Sequence, residues 1–245
     1  IYEDMGLFAC KPARDEFDAV IAKAMKQSRK NITFKEHYDF FKKKLSFTGT
    51  NLTIGKTVVF SVDTTPDFPI ADATRISMSL PYIFKPYVIN EQKKGYPPCG
   101  TYVDGGVWNN LPIHLFDDEI TQSQGAAQMS LSSQPLAQTL GLRLEFTEVS
   151  PVSNLYEFLK KMLNFGLMGT GETQVLERDE FRTILLDTDS LGLLDFTPPK
   201  DDTVFKRSRR TVRNYFNLPI ETKDKDDADD KASEERRVKK YNPCS

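Results

Sequence analysis

The chain has 245 residues, 39% of them hydrophobic, with 33 basic against 35 acidic residues and a formal net charge of −2. Such a composition excludes a disordered or fibrous chain, and without a basic excess no global field recruits nucleic acid. No apolar run reaches the roughly 18–20 residues of a membrane-spanning helix, while Cys10, Cys99 and Cys244, odd in number and without a CxxC or Cys/His pattern, read as free thiols of a reducing compartment rather than disulfides or a zinc site.

A domain of this length hides roughly 70–75% of its unfolded surface. One domain is expected over residues 1–220, followed at 221–245 by a tail dense in both charge signs and poor in apolar residues. The opening Ile1-Tyr2-Glu3-Asp4 has no basic head, apolar signal segment or initiator Met, and reads as the continuation of something longer.

In chain order, Phe17, Val20, Ile21, Ala24 and Met25 fall on one face of an amphipathic helix over Arg14 to Gln27. Thr33-Phe34-Lys35-Glu36 is a capping box that opens a second helix, striped by Phe34, Tyr38, Phe41 and Leu45; Lys42 to Lys44 form its solvated end. Gly49 and Gly55 bracket a turn, and Thr57 to Val62, apolar on both faces and β-branched, predicts a central, doubly covered strand. A loop with two prolines leads to a short helix, Ile70 to Leu80, that stops at Pro81. Tyr82 to Asn90 is extended, with Pro86 confining it to an edge, and Thr101 to Val103 is a brief strand.

Beyond it, Pro112 opens a predicted helix through Ile120 with Asn109 or Asn110 near its cap, and Thr121 to Gln138 is a surface segment without periodicity. Leu140 to Phe146 and Phe181 to Leu186 predict strands. Leu155, Phe158, Leu159, Met162 and Leu163 stripe one helix, and Val204, Phe205, Ser208, Val212, Tyr215 and Phe216 another. Alternating strands and helices predict an α/β sandwich with a mainly parallel central sheet and helices on both faces.

Chemistry concentrates at Tyr102-Val103-Asp104-Gly105-Gly106-Val107-Trp108-Asn109-Asn110-Leu111-Pro112. A carboxylate where a strand stops is placed to meet a ligand in a crevice, and Gly105 and Gly106 let the backbone turn sharply or come close to that ligand. Asp104 either takes the proton of a nucleophilic hydroxyl or caps the following turn through its own side chain. The two histidines offer less. His37 lies beside an apolar stripe, and His114 is either a member of a Ser/His/Asp triad or a surface polar side chain. Gly166 to Gly171 matches neither phosphate-binding spacing and reads as a turn. The Leu155 to Leu163 helix, with Lys160 and Lys161 beside its apolar face, packs inward or lies on a membrane as a peripheral contact.

Asp104-Gly105-Gly106 with its flanks, preceded by Ala73-Thr74-Arg75-Ile76-Ser77-Met78-Ser79-Leu80-Pro81-Tyr82-Ile83-Phe84-Lys85-Pro86, resembles the patatin-like phospholipase family, close to its bacterial members, some of which are secreted effectors. Weaker echoes are Asn31-Ile32-Thr33-Phe34 and Leu193-Leu194-Asp195-Phe196; coverage runs from about Gly6 to Phe216. The resemblance implies part of a three-layer sandwich, a phospholipid or other acyl-lipid substrate, no metal or organic cofactor, and Asp104 as the proton acceptor of a Ser/Asp dyad. The family's nucleophile sits on a G-x-S-x-G elbow beside a Gly-rich oxyanion loop, and neither occurs in these 245 residues. Both belong N-terminal to this stretch in the family's order, so the partner expected first is the portion that carries them. Losing such a nucleophile costs about six orders of magnitude in turnover by analogy with serine hydrolases, so the chain alone is expected to be inert. Ser77 and Ser79 fall in a segment that the family uses for packing and are not expected to replace it. The rival expectation is a non-catalytic patatin-like module that acts through a protein partner or a membrane.

Overall fold

A computed structural model describes residues 5–117, 139–145, 153–155, 157–158, 162, 177–187 and 203–219. They divide between two compact units, the first holding residues 5–112 and 162, the second the remainder. The surface segment expected at 121–138, the turn expected at 166–171, the 193–196 echo and the 221–245 tail lie outside the described residues.

The first unit opens with β1 (Gly6–Phe8) and α1 (Lys11–Ala24), which starts three residues earlier than predicted because Pro12 sits in its first turn. Its inner face is also not the predicted stripe: Asp18, Ala22 and Met25 are buried, whereas Phe17 and Val20 are exposed. The cause is polar. The buried Asp18 carboxylate accepts the Asn31 backbone N–H at 2.8 and 3.1 Å and pairs at 3.3 Å with Arg14, whose Nε also meets Asp72 at 2.9 Å. A buried carboxylate must be satisfied, and facing Asp18 inward turns Phe17 and Val20 toward water.

In α2 (Phe34–Phe41) the predicted capping box is complete, with Thr33 Oγ1 accepting from Glu36 N and Glu36 Oε2 accepting from Thr33 N. The helix ends on Lys42 in the left-handed region.

β2 (Phe47–Asn51) and β3 (Lys56–Phe60) form a hairpin around Gly55, whose φ is +64°. Gly49 lies inside β2 rather than at the turn, where a Cβ would stand 2.5 Å from Ile76 Cγ2. After α3 (Ile70–Ser77) come β4 (Tyr82–Phe84), β5 (Tyr87–Ile89) and β6 (Gly100–Asp104). The stretch predicted as one extended strand breaks at Lys85-Pro86: β4 pairs in parallel with β1, and β5 in antiparallel with β6.

The α/β class is as expected, with parallel pairing between β1 and β4. The four-stranded sheet runs β3-β2-β6-β5 and is antiparallel throughout. A turn as short as that between β2 and β3 allows nothing else, since parallel neighbours need a crossover of a dozen or more residues. In this order β3 is an edge strand with Thr57, Val58 and Val59 only half-buried, and the central positions go to β2 and β6.

Beneath the sheet lies the core. Phe60 stacks on Phe68 at 5.6 Å and meets Tyr102 at 5.9 Å, and Met25, Ile32, Phe34, Ile70 and Ile76 complete the cluster. Rings of this size dominate core energetics. The fully buried Asn51 ties the end of β2 to the start of β6: its Nδ2 donates to Cys99 O at 3.2 Å, and a Cβ on Gly100 would stand 2.5 Å from its Oδ1.

In the second unit β7 (Gly141–Glu145) pairs in parallel with β8 (Thr183–Asp187), and α4 (Thr203–Tyr215) packs on β8. The predicted helix after Pro112 is a 3-10 turn at Ile113–Phe116, and a second one, Glu177–Arg182, replaces the first two residues of the predicted Phe181 strand.

Candidate active site

Asp104 is the last residue of β6, an interior strand, and lies opposite Gly49 of β2. Its backbone N–H donates to Ser79 O at 3.0 Å, which anchors the strand end to the residues following α3. The chain then turns at once into a 3-10 turn, Gly105–Val107, that Asp104 caps: Oδ1 accepts the Gly106 N–H at 2.7 Å.

Of the two glycines, Gly105 is dictated by backbone and Gly106 meets only side chains. Gly105 is buried against β2, where a Cβ would stand 2.3 Å from Thr48 Oγ1 and 2.6 Å from Thr48 O. At Gly106 a Cβ would meet Asn110 Oδ1 at 2.9 Å and Asp104 Oδ1 at 3.1 Å. The residues after the turn hold on to it, with Trp108 N and Asn109 N donating to Gly105 O at 3.2 and 2.9 Å.

Burial pushes the Asp104 carboxyl up to about 6, against the smaller opposing effect of the Gly106 hydrogen bond. A carboxyl so placed changes charge close to neutral pH, where a general base is most effective. Among the described residues no group donates to its Oδ2, and no hydroxyl reaches it.

The other candidates fall elsewhere. Ser79 is fully buried and its Oγ donates to Arg75 O at 2.7 Å, a packing role; Ser77 is half-buried at the end of α3. His37 rests against the Phe41 ring at 4.9 Å, and burial lowers its pKa. His114 belongs to the second unit and is committed to an ion network. Nδ1 lies 2.9 Å from Asp117 Oδ2 and Nε2 3.2 Å from Asp179 Oδ2, while Arg182 reaches both carboxylates at 2.7–2.8 Å. The Arg182 hydrogen bonds hold the Asp117 carboxyl down at about 2. Sequence reasoning missed Asp117, Asp179 and Arg182. Their one signal was the His114/Asp117 spacing, which a 3-10 turn brings onto one side.

Leu155 and Phe158 are exposed, and Lys160, Lys161 and Gly166 to Gly171 lie outside the described residues. Among the described residues no group of His, Cys, Asp and Glu side chains is arranged to hold a metal ion, Cys10 and Cys99 are free, and no helix is long and apolar enough to cross a membrane.

Residues 2–117, which include this strand-end carboxylate and the two glycines after it, match the family model of the patatin-like phospholipases. A probable lipid hydrolase of Invertebrate iridescent virus 6 is 37% identical over 91 residues, 37% of this chain and 29% of the viral protein. An uncharacterised protein of Acanthamoeba polyphaga mimivirus is 29% identical over 159 residues, 65% of this chain and 46% of its own length. The uncharacterised protein YqhO of Bacillus subtilis strain 168 is 39% identical over 87 residues, 33% and 28% of the two chains. The chain thus spans less than half the length of these curated relatives.

Proposed function

We propose that the chain is the carboxylate-bearing part of a patatin-like lipid acyl hydrolase, with Asp104 as the acid–base member of a Ser/Asp dyad. The single observation that carries this reading is the asymmetry of the carboxylate. Oδ1 is fixed by the Gly106 N–H, Oδ2 has no donor among the described residues, and burial sets the group to titrate at about 6. The serine belongs to a G-x-S-x-G segment that these 245 residues do not contain.

In that assembly the serine Oγ attacks the ester carbonyl of an acyl lipid while Oδ2 of Asp104 takes its proton. Backbone N–H groups beside the elbow stabilise the oxyanion. Collapse breaks the acyl–oxygen bond, and the proton passes from Asp104 to the leaving alkoxide. Water then cleaves the acyl-serine ester, with Asp104 again accepting and returning a proton. The bond to Gly106 N keeps the carboxyl in one rotamer throughout, which is worth more to rate than a freely rotating base of the same pKa.

The same bond also supports a second reading, in which Asp104 only caps the turn and the domain binds a partner or a lipid surface without catalysis. Hydrolysis of a fluorogenic phospholipid by the protein joined to its G-x-S-x-G segment separates the two. Asp104→Asn, which preserves the acceptor for Gly106 N, is expected to lower turnover by on the order of 10³–10⁴-fold, and the 245-residue chain alone to show none. Turnover within tenfold of wild type would return Asp104 to the capping role.

A further inference from the structure

Arg75, on α3, is a cation whose donors are left over. Its Nε is buried and meets no acceptor among the described residues, so it carries the desolvation penalty of a charged donor with no bond in return. Asp72, one helical turn earlier and on the same face, is already engaged. It accepts from Arg14 Nε at 2.9 Å and from the Tyr87 hydroxyl. Burial, with the Asp72 charge behind it, pushes that hydroxyl up to about 12 and keeps it a neutral donor. Arg75 stands instead over the Tyr87 ring, 4.9 Å from its centre. A ring holds a guanidinium in place while leaving the fork of N–H donors at its edge available. Both side chains are half-buried, so the pair is reachable from solvent.

The sheet fixes where this pair lies relative to Asp104. Tyr87 of β5 sits opposite Tyr102 of β6, and Tyr102 and Asp104, two residues apart on one strand, share a face. The end of α3 runs along that face, since Ser79 O accepts the Asp104 N–H and Ser79 Oγ donates to Arg75 O one turn back. Two residues of strand span about 6.8 Å, and a glycerophospholipid holds its phosphate and its nearer ester carbonyl at a comparable separation. A phosphodiester oxyanion is also the acceptor that a guanidinium fork fits. We propose that Arg75 binds the phosphodiester of the lipid substrate while the ester beside it meets Asp104. This deepens the lipid acyl hydrolase reading, on which it rests for the ester, by naming the residue that selects a phospholipid over a neutral glyceride.

Arginine side-chain NMR of the 245-residue chain reads the site directly. The Arg75 Nε–H signal, assigned by its loss in Arg75→Lys, should move on addition of glycerophosphocholine and of inorganic phosphate. It should stay in place with glycerol, or with sodium chloride at the same ionic strength. Movement with inorganic phosphate alone would mean a free-anion site and overturn the proposal, as would no movement with either. Arg75→Met breaks no ion pair among the described residues, so its thermal melt should stay close to wild type. In the protein joined to its G-x-S-x-G segment, that variant should raise KM for a short-chain phosphatidylcholine about 10–100-fold relative to KM for the matching diacylglycerol. This is the range of a lost charge-assisted hydrogen bond, and Arg75→Lys should recover part of it. An equal loss on both lipids would make Arg75 the counter-ion of a carboxylate in the joined segment and overturn the proposal. A protein whose Arg75 signal answers to glycerophosphocholine yet hydrolyses no lipid fails the enzymatic reading alone. One that hydrolyses both lipids with an unresponsive Arg75 fails this one alone.

Discussion

Gly105 and Thr48 touch so closely that a methyl group on the glycine would overlap both the Thr48 hydroxyl, at 2.3 Å, and its carbonyl oxygen, at 2.6 Å. The second contact is with backbone and cannot be relieved by a rotamer. Gly105→Ala is expected to destabilise the protein by about 1–3 kcal/mol, seen as a lowered urea midpoint. Thr48→Ala in the same chain should restore only part of the loss, because the carbonyl remains.

Asp104 opposes folding as a carboxylate. Its folded-state pKa of about 6 lies above the usual value, so the folded protein holds the proton more tightly and stability falls as pH rises from about 4 to about 6. Asp104→Asn removes this titration and keeps the acceptor for Gly106 N. Relative to wild type the variant should gain about 1–3 kcal/mol across that window and no more above it. Denaturant unfolding at pH 4, 5, 6 and 8 measures the difference, and a constant offset would contradict the assignment. In the complete enzyme the acidic limb of kcat/KM should fall near the same pH.

Arg182, 2% exposed, pairs with both Asp117 and Asp179. Arg182→Met removes the guanidinium that pairs with the buried Asp179 and should cost about 3–5 kcal/mol, visible as faster amide exchange over β7 and β8. Asp117 behaves oppositely to Asp104. Its depressed pKa means that its contribution is present above about pH 4 and is lost as pH falls toward about 2. Asp117→Asn should flatten that acid limb.

Ser79 supplies a negative control. Its hydroxyl is satisfied by Arg75 O and buried, so Ser79→Ala should lower stability by about 1 kcal/mol and leave phospholipid turnover of the complete protein intact. Loss of turnover without loss of folding would make it a nucleophile after all.

What the sequence revealed, and what it hid, follows from the range of the interactions. The Thr33/Glu36 cap, the α3 start after Pro69 and the strand delivering Asp104 are local, and local patterns survive in the folded chain. The inward face of α1 was misjudged because Asp18 answers to Asn31 and Arg14, not to helical periodicity. β3 looked central from its β-branched run, yet edge or centre is decided by which strand reaches β2 from the other side, and that strand is β6. At the site, Asp104 and its two glycines were legible because the chain's conformational demands are written into adjacent residues. The Asp117–Arg182 pair was not, since its members stand 65 residues apart and nothing nearby announces the meeting.

The close contacts at the two ends of β6 have a mechanical consequence. Asn51 blocks Gly100 at one end and Thr48 blocks Gly105 at the other, so the strand works as a ruler with a stop at each end. It cannot slide by a single residue, a shift that would in any case turn Asp104 to the opposite face of the sheet. The carboxylate is therefore a stationary mark at the end of the sheet.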